Sequence, residues 1–128
     1  MRLLTGLSAS GPIVRLDSPL SFWGGFNPET GRVIDANHPQ CGISLTGALV
    51  AVPHGRGSSS SSSVLAESIR LGSAPAGIIV SELDEILLVG AIVANDLYQV
   101  GFPLAVGELP ASSPETWRLD HAGLTRVG

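Results

Sequence analysis

Lysine is absent from this 128-residue chain, cysteine occurs once, and aromatic residues make up 5% of it. Each shortage removes a class of protein. A nucleotide-binding P-loop ends on a lysine that reaches the phosphates, so that motif is excluded. The seven basic residues are all arginine and lie scattered, and with eleven acidic residues the net charge is −4. That argues against a nucleic acid as ligand, because backbone phosphates are held by clustered Lys and Arg. Cys41 permits no internal disulfide, which suits a reducing cytoplasm. No apolar run approaches the roughly 20 residues of a membrane-spanning helix. The start, Met1 to Leu7, carries one charge and too short an apolar stretch for a secretory signal. His38, His54 and His121, with Cys41, show neither a Cys-x-x-Cys pair nor two histidines on one helical face, so a metal site built by this chain alone is not expected.

What is present is apolar. The length fits one domain, 1–128, with a modest core. At 44% hydrophobic and 14% charged residues, the surface is poorer in charge than usual, which points to a partner covering part of it. Phe22, Trp23 and Phe26 sit among glycines in a turn-rich segment from Pro19 to Gly31. Such a setting suits a structured loop in which Trp23 is a core or interface anchor or a substrate platform.

The most unusual stretch is Gly55-Arg56-Gly57 followed by the six serines Ser58 to Ser63, running directly into Val64-Leu65-Ala66-Glu67. A serine tract can be a flexible linker. Here the apolar run Ala48 to Val52 precedes it and an amphipathic segment follows, and a strand and a helix that need each other for burial favour a structured turn. The first N–H groups of a helix lack internal partners and carry partial positive charge, so strand, Gly-rich turn and helix N-terminus together form an anion-binding arrangement. Serine hydroxyls add donors and can cap the helix, Arg56 supplies a full charge, and His54 beside the loop could tune it. A Ser-His-Asp hydrolase has the right residue types but lacks the Gly-x-Ser-x-Gly elbow.

Along the chain, strands are predicted at Pro12 to Leu16, Arg32 to Asp35, Ile43 to Val52, Gly77 to Val80 and Phe102 to Val106. A helix is predicted from about Ser60 to Leu71, stopped by Gly72. A second runs over Ile86 to Val100, with Ile86, Val89, Val93 and Leu97 at helical spacing facing the sheet. Glu82, Asp84 and Glu85 precede that helix and suit its N-terminal dipole better than an acid/base pair. This is an α/β pattern whose βαβαβ half implies parallel strands, with further strands from the N-terminal half. Residues 108–128 are read as an extension beyond a core of about 11–107, holding one edge hairpin or a loose tail.

Ser21-Phe22-Trp23-Gly24-Gly25, then Pro28-x-Thr30-Gly31-x-x-Ile34-Asp35-x-x-His38-Pro39-x-x-Gly42, the serine loop and Pro75-Ala76-Gly77-Ile78-Ile79 resemble the small subunit of the aconitase X family. The resemblance runs from Gly11 to Val106. It implies the swivelling β/β/α domain of aconitase and a hydro-lyase activity. The implied reaction is dehydration of cis-3-hydroxy-L-proline to pyrroline-2-carboxylate; alternatives are mevalonate 5-phosphate dehydration and a stand-alone anion-binding module. It also implies a large subunit carrying an iron or iron-sulfur centre, with this chain active only in the heteromer. Aconitases carry Gly-x-Gly-Ser-Ser-Arg here, whose first serine is the catalytic base and whose arginine holds a substrate carboxylate. By that match Ser58 is the base, and Trp23, Gly24, His54, Arg56, Gly57, Ser59 and Ser60 line the substrate. Ser60 stands where aconitase has its arginine. That departure speaks against a tricarboxylate, the carboxylate contact being either lost or taken over by Arg56.

Overall fold

The computed structural model describes residues 1–56 and 59–127. A seven-stranded mixed sheet is built from β1 (Arg2–Thr5), β2 (Ala9–Arg15), β5 (Leu49–Val52), β6 (Gly77–Val80), β7 (Leu104–Val106), β8 (Ser113–Asp120) and β9 (Gly123–Arg126), in the order β1-β7-β6-β5-β2-β8-β9. Between β2 and β5 lie a short helical turn, α1 (Phe22–Gly25), and the small ribbon β3 (Phe26–Asn27) and β4 (Arg32–Val33). The crossovers α2 (Ser61–Leu71) and α3 (Glu85–Tyr98) join β5 to β6 and β6 to β7, and these three strands are parallel.

The α/β expectation and its parallel half are therefore borne out. Every residue of β5 and β6 is buried, as parallel strands covered on both faces require. Side-chain alternation divides them between two cores. Val50, Val52, Ile78, Val80 and Leu104 point toward the helices with Leu65, Leu87 and Ala91. Leu49, Ala51, Ile79 and Ala105 point the other way, against Ile13 and Leu119. Fully burying a side chain such as Ile78 or Leu104 contributes about 1.5–3 kcal/mol, so these short strands carry much of the fold's stability.

Several boundaries differ from the sequence reading. The strand expected over Ile43 to Val52 begins at Leu49, because Leu45 to Ala48 make a turn closed by Ala48 N–H donating to the Leu45 carbonyl at 3.2 Å. The strand expected over Arg32 to Asp35 is limited to Arg32–Val33, and that over Phe102 to Val106 begins at Leu104. The strand around Pro12 is longer than expected, and its pairing with β8 shifts register between Gly11 and Ile13. Pro12 has no N–H to give the ladder, so a bulge there costs nothing further. The C-terminal segment forms the hairpin β8–β9 and adds to β2 rather than trailing as a loose tail.

The helix over Ser60 to Leu71 forms as expected and ends at Gly72 in the left-handed region. The orientation of α3 is a correction. Val89, Val93 and Leu97, read as its sheet-facing stripe, are exposed, and the buried residues are Leu87, Gly90, Ala91 and Ala94. Helix-to-helix distance decides this. A Cβ on Gly90 would lie 2.8 Å from the Ser62 carbonyl oxygen, so α3 approaches α2 on its small residues and turns the larger aliphatic ones outward.

Candidate active site

The serine loop, the start of α2, the aromatic turn and the start of α3 meet at the C-terminal end of β5. They enclose a cavity of about 170 Å³ whose lining includes Leu20, Phe22, Gly55, Arg56, Ser61 and Asp84. Ligands in open α/β sheets sit at this end of the strands, where the helix N-termini also point.

The aromatic turn is folded by its own core. Phe22 and Phe26 are buried, with ring centroids 5.0 Å apart and planes tilted by 51°. Between them Trp23 leaves helical geometry (φ −85°, ψ 110°) and Gly24 takes φ 82°, which turns the indole outward at 59% exposure. Of the three aromatics set among glycines, Trp23 alone is exposed; the two phenylalanines hold the turn in place. Trp23 N–H donates to Ser61 Oγ at 3.1 Å, so the aromatic turn and the serine loop do share one face. Ser61 is buried and was missed as a site residue, because one serine in a run of six has no sequence signal that sets it apart.

Beyond β5, Arg56 N–H donates to the Leu20 carbonyl at 3.2 Å and leaves its side chain exposed at the cavity. His54 is half-buried, and its Nδ1 meets the Gly55 carbonyl. A carbonyl only accepts, so Nδ1 carries the proton. Ser59 and Ser60 are exposed at the entrance to α2, and Ser62 Oγ donates to the Ser59 carbonyl at 2.8 Å. Gly57 and Ser58, including the expected base, lie outside the described residues. Asp84 caps α3 as expected, accepting from Leu87 N–H at 3.0 Å, and its second oxygen accepts from Gly55 N–H at 2.8 Å. Its place at the cavity was not legible, since it lies 29 residues from Gly55.

Other polar groups serve structure. His38 is buried: Gln40 N–H donates to its Nδ1 at 3.0 Å, leaving Nε2 to donate to the Ser18 carbonyl at 3.1 Å. On α2 the Arg70 guanidinium hydrogen-bonds Glu67, holding that carboxyl below its ordinary range and raising Arg70 in turn. The pair is solvent-exposed and contributes little. Among the described residues, no group of three or more His, Cys, Asp or Glu side chains converges as a metal site. No helix among them is long and apolar enough to cross a membrane. A metal for the expected chemistry does not fit the residues described in this chain.

A mixed sheet carrying a serine loop between a buried strand and a helix start is the arrangement that the resemblance to an aconitase swivel domain implies. Residues 1–116 match the family model of the aconitase X swivel domain, and the chain belongs to that family. It is 50% identical over 104 residues to the cis-3-hydroxy-L-proline dehydratase of Pseudomonas aeruginosa, covering 81% of this chain and 18% of that protein. It is 49% identical over 76 residues to the phosphomevalonate dehydratase small subunit of Methanopyrus kandleri, covering 59% of this chain and 56% of that one. The crystal structure of Thermococcus kodakaraensis aconitase X (holo-form) aligns with a TM-score of 0.85 at 31% identity, over 99% of this chain and 95% of that chain. The chain spans less than a fifth of the length of the dehydratases it matches from Pseudomonas aeruginosa and Hypocrea jecorina, 18% and 16%.

Proposed function

We propose that this chain is the swivel lobe of a cytoplasmic hydro-lyase that converts cis-3-hydroxy-L-proline to pyrroline-2-carboxylate and works only against a large subunit. The observation that carries the substrate choice is the charge of the cavity. Its described lining includes one cation, Arg56, and one carboxylate, Asp84. A proline zwitterion presents one carboxylate and one ammonium group, and a planar guanidinium matches the carboxylate in bidentate fashion. A phosphorylated hydroxy acid presents a carboxylate and a dianionic phosphate. It would need several cations and would be repelled by Asp84.

In this reading the Ser58 alkoxide takes the proton from the carbon bearing the carboxylate, and the electrons of that C–H bond form the ring double bond as the neighbouring C–O bond breaks. The departing hydroxide takes up one proton to leave as water, and the enamine tautomerises to pyrroline-2-carboxylate. A serine hydroxyl is too weak a base unaided, so its alkoxide must be stabilised by the α2 N-terminus, neighbouring hydroxyls and Arg56. An iron or iron-sulfur centre on the large subunit would supply the Lewis acidity for the leaving hydroxyl. Trp23, Gly24, His54, Gly57, Ser59 and Ser60 complete the substrate face.

A second reading, the small subunit of a phosphomevalonate dehydratase, is favoured by the 40% identity to the Methanothermobacter thermautotrophicus subunit over 72% of that protein's length. Steady-state assays of the chain purified with its partner separate the two. Preference for cis-3-hydroxy-L-proline supports the first, and preference for mevalonate 5-phosphate overturns it. A colourless chain that binds phosphate without any partner would instead point to an anion-binding module.

A further inference from the structure

The loop leaving β5 is held by the loop leaving β6 at two points. Ser81 donates to the Pro53 carbonyl from its N–H at 3.1 Å and from its Oγ at 2.8 Å. Two residues past Pro53, Gly55 N–H donates to Asp84 Oδ2 at 2.8 Å, while Asp84 Oδ1 accepts from Leu87 N–H at 3.0 Å. One carboxylate therefore spans the start of α3 and the start of the serine loop. The contact is close: a Cβ on Gly55 would lie 2.6 Å from Asp84 Oδ2 and would push that oxygen aside. On its other side the same loop is fastened by Arg56 N–H to the Leu20 carbonyl at 3.2 Å.

Helix capping does not account for this arrangement. A cap needs one acceptor, and a serine or asparagine would serve α3 about as well. The second oxygen acts on the loop alone. A carboxylate acceptor makes a shorter and stronger hydrogen bond than a neutral one. We propose that Asp84 is a positioning residue for the catalytic loop: it fixes the backbone at Gly55, and through it the placement of Arg56. This rests on the dehydratase reading of the same loop. A reacting group displaced by about an ångström loses about a hundredfold in rate, so the tie matters to turnover more than to folding.

The test uses isotope-labelled chain, alone and with its large subunit, as wild type and as Asp84→Ser. Serine keeps the α3 cap and is too short to reach Gly55. The expected result is Gly55 amide exchange faster by about tenfold or more with Leu87 still protected, and kcat lower by about ten- to a hundredfold. Should the serine variant not fold, Asp84→Asn takes its place. With one acceptor oxygen for two donors it releases one of the two amides: kcat falls if Gly55 is the one released and holds if Leu87 is, and the reverse pairing overturns the proposal. In Asp84→Ser, unchanged Gly55 exchange, or kcat within about twofold of a working wild type, overturns it. If the wild-type complex dehydrates neither substrate, the dehydratase reading fails by itself. Gly55 exchange then decides whether Asp84 holds the loop.

Discussion

Trp23 N–H donates to Ser61 Oγ at 3.1 Å across 38 residues of sequence. Through this bond the first turn of α2 fixes an aromatic turn folded elsewhere in the chain, and the indole is left exposed. Ser61 is thereby committed to the scaffold, although by composition it is indistinguishable from its neighbours.

Removing that hydroxyl leaves a partly buried N–H without its partner. Ser61→Ala is expected to destabilise the fold by about 1–2 kcal/mol. Urea denaturation of the variant and the wild type measures it, and an unchanged midpoint would show that water replaces the hydroxyl at no cost.

Ser58→Ala is expected to reduce turnover by about a thousandfold or more, on the scale of losing a general base, while partner binding and thermal midpoint stay as in the wild type. Activity within a few-fold of wild type would move the base to Ser59 or another member of the run. Dehydration by the isolated chain, with no partner or metal, would refute its dependence on the large subunit.

Arg56 should not tolerate a conservative exchange. Arg56→Lys replaces a planar fork with a point charge, and a loss of about 1.5–3 kcal/mol in transition-state stabilisation is expected, the scale of a hydrogen bond to a charged group. Steady-state kinetics on cis-3-hydroxy-L-proline read it as a fall in kcat/KM. An unaffected value would place the carboxylate contact on the large subunit.

The orientation of α3 can be checked by a pair of substitutions. Val93 is exposed and Ala91 is buried. Val93→Gln is expected to change stability by no more than about 0.5 kcal/mol, whereas Ala91→Leu forces extra volume into a close-packed helix contact at a cost of about 1–3 kcal/mol. Thermal melts of the two would show the opposite ranking if Val93 faced the sheet.

Local signals survived folding where the chemistry is local. Gly72 ends α2, Asp84 starts α3, and the apolar runs over Leu49–Val52 and Gly77–Val80 become doubly buried strands. Backbone geometry and burial make those assignments without reference to distant residues, and the serine loop is legible as a candidate site for the same reason: a strand, a glycine turn and a helix start follow one another directly. Tertiary structure decided what depended on contacts far apart in sequence. Periodicity marks an apolar stripe on α3 but cannot tell which of two stripes meets the sheet. The close approach at Gly90 chose the small-residue one. Composition shows three aromatics near glycines, and the core took Phe22 and Phe26 and left Trp23 outside. Two polar side chains of the cavity lining, Ser61 bonded to Trp23 and Asp84 bonded to Gly55, were assigned by hydrogen bonds spanning 38 and 29 residues, a separation at which a linear sequence carries no geometric information.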